Sequence, residues 1–300
     1  MTQKKTSRVI VNGWIALDKP TGLTSTQAVS RLKRLYNAQK AGHAGTLDPL
    51  ASGILPIAFG EATKTVPFVQ DGEKTYQFTV RWGEETDTDD SQGRIINTSL
   101  SRPTQEKVES FLPDFLGAIE QIPPQFSAIK IAGERAYDLA REGEVVELAP
   151  RTVQIYSLKL LHASSQEANF SMTCGKGAYV RAIARDLGRR LGCLGHVTAL
   201  RRTRVGPFTE ESAFTLNEIE NENRFDSALS SVEAGLLALP CIIVDRDTAT
   251  RLRRGGSVIL RGRDAPHKGI VYAACDGVPI AFGEIIEGAL APSRVFNLPF

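Results

Sequence analysis

Residues 42–64 read GHAGTLDPLASGILPIAFGEATK. Gly42, Gly45, Pro49, Gly53, Pro56 and Gly60 punctuate this stretch, so residues 41–60 read as loop. A segment so rich in Gly and Pro inside an otherwise periodic chain is more often a functional loop than a linker. It presents one carboxylate, Asp48, near one imidazole, His43. Pro49 restricts the backbone just after Asp48, and Gly45 permits close approach of a ligand. A lone loop Asp is commonly a cap or turn former, so the residues by themselves leave a structural and a catalytic role both open.

On the N-terminal side, residues 9–18 read as a short strand entering the turn Lys19-Pro20-Thr21-Gly22. Thr24 or Ser25 then caps a helix with Val29, Leu32 and Tyr36 on its apolar face. On the C-terminal side the period changes to two. Tyr76, Phe78, Val80 and Trp82 point one way, which predicts a half-buried strand ending at Gly83. A polar, acidic loop runs to Gly93, read as a solvated hairpin-type turn. Thr104 opens a helix with Val108, Phe111, Leu112 and Phe115 on one stripe, disturbed by Pro113. Residues 121–150 look like an excursion from the core. Val153–Leu161 and Phe170–Cys174 are strand candidates. Residues 178–191 form an amphipathic helix with Arg181, Arg185 and Arg189 on one face. After Pro240, short runs at 241–244, 258–260, 270–275, 278–286 and 294–298 predict a small, mostly β module.

Composition narrows the class. At 300 residues, 42% apolar and 23% charged, the chain is that of an ordinary globular protein with a large core. There is no apolar run of membrane-spanning length and no signal-peptide pattern. The four cysteines form no CxxC pair, which favours reduced thiols and a cytoplasmic setting. Net charge is +2, but basic residues cluster at Lys4–Lys40 and Arg181–Arg204. Such clusters fit either a polyanionic partner or a salt-bridged surface. Gly175-Lys176-Gly177 lacks phosphate-loop spacing, Asp87–Asp90 fails the calcium-loop pattern, and the four histidines have no zinc spacing. No metal site is expected, and a metal-dependent nuclease is disfavoured.

Residues 42–64 closely resemble the catalytic motif of the TruB family of tRNA pseudouridine synthases. Further motifs follow in the family's order. Asp18–Ser25 resembles its N-terminal motif, Lys74-Thr75-Tyr76 its KxY segment, and Gly83–Gly93 its hairpin. Pro123-Pro124, Ser127–Lys130 and Gly133–Tyr137 resemble its RNA-gripping insertion. Cys174–Arg181 resembles its CSxGTYIR motif, with Gly175 and Ala178 replacing the outer Ser and Thr.

The resemblance implies an α+β pseudouridine synthase fold, with a mixed central sheet flanked by helices, over residues 1–238. The RNA-gripping insertion would span about 123–150, and a PUA-like RNA-binding module 240–300. It implies isomerisation of uridine 55 in the T-arm of tRNA, without cofactor. Asp48 would be the catalytic carboxylate, Tyr76 would stack on the target base, and Arg181 would pair with Asp48 and aim it. His43 would help expel the nucleotide, while Tyr179 and Leu200 would line the pocket. Lys19, Lys64 and Lys130 would complete the substrate-binding set. The helix bearing Arg181 would turn Arg185 and its neighbours to either RNA or the core. The module, through Arg251, Arg253, Arg254, Arg261 and Arg263, would contact the acceptor end of tRNA. A monomer is expected, and a non-catalytic tRNA-binding chaperone is the alternative.

Overall fold

The computed structural model describes residues 7–126, 148–222, 224–260 and 268–300, together with the backbone of 130–131 and 134–135. The strands are β1 Gly13–Lys19, β2 Ala41–His43, β3 Ser52–Phe59, β4 Lys74–Trp82, β5 Glu84–Thr86, β6 Ile95–Thr98, β7 Gly117–Gln121, β8 Lys130–Ile131 and β9 Glu134–Arg135. They continue with β10 Arg151–Ala163, β11 Glu167–Cys174, β12 Gly195–Val205, β13 Phe208–Thr209, β14 Phe214–Thr215, β15 Cys241–Ile243, β16 Val258–Ile259, β17 Gly269–Cys275, β18 Val278–Ile286 and β19 Ala289–Val295. The described helices are α1 Ser25–Leu35, α2 Val66–Asp71, α3 Gln105–Phe111, α4 Val180–Leu191, α5 Leu216–Glu220, α6 Phe225–Ala228 and α7 Arg246–Arg253.

One mixed sheet runs β14-β1-β3-β12-β4-β11-β10-β7, with β2 on β3 and β13 on β12. Helices α3 and α4 join one core with β4, β10 and β11, through Val108, Ile183 and Leu187 against Phe78, Ile155 and Phe170. Helix α1 covers β1 and β3 through Leu17, Leu32 and Leu55. Thr24 starts α1 with a reciprocal cap: its hydroxyl accepts from Gln27 N–H at 3.1 Å, and its own N–H donates to Gln27 Oε1 at 2.9 Å. Pro113 ends α3 in a tighter turn over Leu112–Phe115, as its position in the apolar stripe predicts.

The loop expected over 41–60 is largely strand. β3 is buried along nearly its whole length and lies between β1 and β12. Its apolar run ILPIAF suits a strand buried on both faces, which shows no alternation. Pro56 is tolerated there for a geometric reason. Its carbonyl accepts from Ala44 N–H at 2.9 Å, on the side away from β1. The N–H and C=O of one residue in an antiparallel ladder point the same way. The missing N–H of Pro56 therefore falls in the interval between β12, paired at Ser52 and Gly53, and β2, paired at Ile57 to Phe59.

A second, five-stranded sheet follows, ordered β15-β17-β18-β19-β16, with α7 against one face. The expected strands are there, except that the last runs 289–295 rather than 294–298. The sequence pattern missed α7, whose cap is Asp245 accepting from Thr248 N–H at 2.8 Å. The opposite face packs on the main sheet's flank. Tyr272, Phe282 and Phe296 join the cluster of Trp14, Phe208 and Leu236, and Phe68 of α2 meets Phe282 edge-on at 4.9 Å.

Candidate active site

Asp48 lies in the turn between β2 and β3, which is fastened from three sides. Ser25 Oγ donates to Leu47 O at 3.0 Å and accepts from Leu47 N–H at 2.8 Å. Gly22 N–H donates to Pro49 O at 2.7 Å. Arg202, on β12, donates to Gly45 O at 3.0 Å, Thr46 O at 3.3 Å and Ile54 O at 2.8 Å. Gly53 lets β12 come this near: with φ of +100°, a Cβ there would stand 2.1 Å from the Arg202 carbonyl oxygen.

The carboxylate of Asp48 is 39% exposed and meets Arg181 Nη2 at 2.9 Å. Arg181 begins α4, whose start is held by Gln121: Tyr179 N–H donates to Gln121 Oε1 at 2.8 Å, and Gln121 Nε2 donates to Tyr179 O at 3.1 Å. Arg181 is buried and also donates to Thr88 O and Phe126 O, both at 2.9 Å, and reaches Asp90 Oδ2 at 3.5 Å. Farther along α4, Arg185 pairs with Asp89 at 3.0 Å and Arg189 with Glu85 at 2.8 Å. The i, i+4, i+8 arginines thus close onto the β5–β6 hairpin. Glu85, Asp89 and Asp90 are buried rather than solvated, which corrects the expected solvent-facing loop. Burial pushes the Asp89 carboxyl up to about 6 even though Arg185 opposes the shift.

Of the two readings left open for Arg181–Arg204, a face for a polyanion or a salt-bridged surface, the same pairs favour the second. Arg190 pairs with Asp114, Arg201 with Asp18 and Glu210, and Arg202 is buried among carbonyls. Arg181, Arg185 and Arg202 are buried, while Arg189, Arg190 and Arg201 are paired at the surface and Arg204 stays exposed.

A cavity of about 310 Å³ opens beside Asp48. Of the expected residues, Asp48, Tyr76, Tyr179, Arg181 and Leu200 line it together. His43 ends β2, outside the lining. Lys19 lies outside it too, buried, donating to Pro20 O and Leu23 O at 2.8 Å each. Lys64 ties the two sheets together, donating to Glu61 at 2.6 Å and to Val295 O at 2.9 Å. Of Lys130 only the backbone, in β8, is described; Ser127–Ile129, Gly133, Tyr137, Arg261 and Arg263 lie outside the described residues, as do Lys4 and Lys5. Sequence reading had not assigned site roles to Ser25, Lys74, Gln121 or Arg202. The one available signal was that Ser25 and Lys74 fall within quoted motifs. Burial lowers Lys74 and Lys19 to about 8 each, with Arg202 adding to both shifts. Tyr76 is pushed up by burial.

Two family models meet within this arrangement. The model described as TruB family pseudouridylate synthase (N terminal domain) matches residues 33–180, and the tRNA pseudouridylate synthase B C-terminal domain matches 181–239. The chain belongs to the TruB family. Curated TruB relatives agree along nearly the whole length. The tRNA pseudouridine synthase B of Nitrobacter winogradskyi is 58% identical, covering 96% of this chain and 83% of that protein. That of Rhodopseudomonas palustris is also 58% identical, covering 96% of this chain and 81% of its own length. Two solved structures share the fold. One is an H/ACA RNP bound to a substrate RNA containing 2′-deoxyuridine, with 23% identity and a TM-score of 0.74 over 96% of this chain and 85% of that one. The other is a Cbf5-Nop10-Gar1 complex, with 24% identity and a TM-score of 0.72 over 95% and 84%. The boundary between the two TruB models falls within α4 and is no structural boundary, since β12 lies at the centre of the sheet. Among the described residues, no helix is long and apolar enough to cross a membrane.

Proposed function

We propose that this TruB-family chain isomerises uridine to pseudouridine in tRNA, at position 55 of the T-arm. The observation that carries the proposal is the Asp48–Arg181 pair, at 2.9 Å, set on the wall of a cavity that Tyr76 and Leu200 also line. The reaction exchanges an N1–C1′ bond for a C5–C1′ bond, so the detached base must turn without escaping. Asp48 begins the cleavage at the ribose. Arg181 aims it, and Tyr76 and Leu200 confine the base. The target must leave the stacked arm to enter, at a cost of a few kcal/mol of unstacking.

The catalytic domain is taken as residues 1–238 and the RNA-binding module as 240–300. The end of the second family match at 239 supports this division, as does the start of the small sheet at Cys241. Exposed Arg251 and Arg254 on or next to α7 support contact with the acceptor end of tRNA. The protein is taken to act as a cytoplasmic monomer.

The test is tritium release from tRNA labelled at C5 of uridine, comparing wild type with Asp48→Asn. Stoichiometric release by wild type alone is expected. No release from a wild-type protein that still binds tRNA would leave a chaperone in place of an enzyme.

A further inference from the structure

The charges of the cavity do not balance. Five charged side chains line it: Asp48, Lys74, Lys176, Arg181 and Arg202. Asp48 is matched by Arg181, which Asp90 also holds from behind at 3.5 Å, and Lys176 by Asp71 at 2.6 Å. Lys74 and Arg202 have no such match. Lys74 donates to the carbonyls of Gln70 and Gly72, and Arg202 to those of Gly45, Thr46 and Ile54. Among the described residues, no carboxylate pairs with either. Arg202 is 2% exposed, and it lines the cavity together with Tyr76. Two buried cations satisfied by neutral dipoles leave the cavity positive. Burying a charge without a counter-charge is costly, so such a site is complementary to an anion it does not itself contain.

We infer that Arg202 and Lys74 form an electrostatic floor that stabilises the negative charge on the uracil once it has left the ribose. This rests on the isomerisation proposed above. When N1–C1′ breaks, its electron pair goes to N1, and the detached uracil is a monoanion spread over N1, O2 and O4. After the base turns, C5 forms the new bond to C1′, the C5 proton is lost and N1 takes up a proton, so the base ends neutral. The anion exists only between these two bond changes. Fixed cations in the wall of the cavity that holds it act on the barrier more than on binding. Arg202 suits the task because three carbonyls lock its fork in place.

The experiment compares the single-turnover chemical step on tRNA carrying uridine or 5-fluorouridine at the target, scored by loss of the parent nucleoside after digestion. Fluorine makes the uracil anion intrinsically more stable, so that substrate depends less on the floor. Arg202→Gln is expected to slow the uridine substrate about 100-fold and the fluorinated one at least several-fold less, with tRNA affinity little changed. Arg202→Lys keeps the charge but loses the fork, and should slow both substrates alike. Equal losses for Arg202→Gln on both substrates would overturn the inference and leave Arg202 as a staple of the Asp48 turn. Weaker tRNA binding with an unchanged rate would also overturn it, by giving the cations to a backbone phosphate. Should Arg202→Gln not fold, Lys74→Gln carries the same comparison, and equal losses there overturn the proposal. A wild type inactive on uridine would instead sink the isomerase reading itself.

Discussion

The hydroxyl of Ser25 holds both main-chain polar groups of Leu47, donating to its carbonyl at 3.0 Å and accepting from its N–H at 2.8 Å. The first residue of α1 is thereby locked to the residue before Asp48. Ser25→Ala leaves a buried N–H and C=O unsatisfied, a cost of about 1–3 kcal/mol. Urea unfolding should show that loss. Turnover should fall by more than tRNA affinity, because the carboxylate loses its aim while the RNA-facing surface is untouched. Unchanged turnover would mean that the other fastenings suffice.

Asp90 stands behind Arg181, 3.5 Å away and buried. Asp90→Ala removes one of the two carboxylates that hold the guanidinium. Breaking a buried pair typically costs about 3–5 kcal/mol, and part of that should appear as a slower chemical step. Rapid-quench measurement should find slow conversion with near-normal tRNA binding.

Lys19 links the site to alkaline pH. Its folded value of about 8 lies below the unfolded value near 10.5. Between these limits the unfolded chain binds more protons, so this group's contribution to stability rises with pH across that window. Below pH 8 the penalty for a buried cation is present in full. Relative to Lys19→Met, wild type should gain up to roughly 3 kcal/mol between pH 7.5 and 10. Paired urea titrations at the two pH values check the sign; a gain by the variant would refute it.

The exposed Lys176–Asp71 pair spans from the end of α2 to the turn before α4, and Lys176 lines the cavity. Exposed pairs contribute about 0–1 kcal/mol. Asp71→Asn should therefore leave stability nearly unchanged. It frees an ammonium at the cavity rim, so tRNA binding should tighten and depend more steeply on salt. Filter binding across a salt series reads both effects.

Docking of the small sheet depends on Phe282, which meets Phe68 edge-on, and on Tyr272 donating to Glu233 at 2.6 Å. Phe282→Ala should cost about 3–5 kcal/mol. Limited proteolysis should then cut faster between Leu236 and Cys241, where the chain passes from one sheet to the other.

Much of the fold was legible wherever a local rule operates. The alternation Tyr76–Trp82, the stripe of α4 and the Thr24 and Thr104 caps each follow from neighbours within one or two turns of chain. β3 was misread because Gly53, Pro56 and Gly60 are local breaker signals, while the interval that accommodates Pro56 is made by β2 and β12. The acidic hairpin looked solvated because its arginine partners lie about 100 residues away.

By itself the sequence determined the family and the α+β class, and its resemblance singled out Asp48 as the candidate carboxylate, since motif order and side-chain period are properties of the chain. Tertiary structure decided where the charges went. It drew Arg185 and Arg189 into ion pairs with the hairpin and buried Arg202 among carbonyls beneath the Asp48 turn. Pairing energies depend on distance and burial, and both are set by which strands lie side by side.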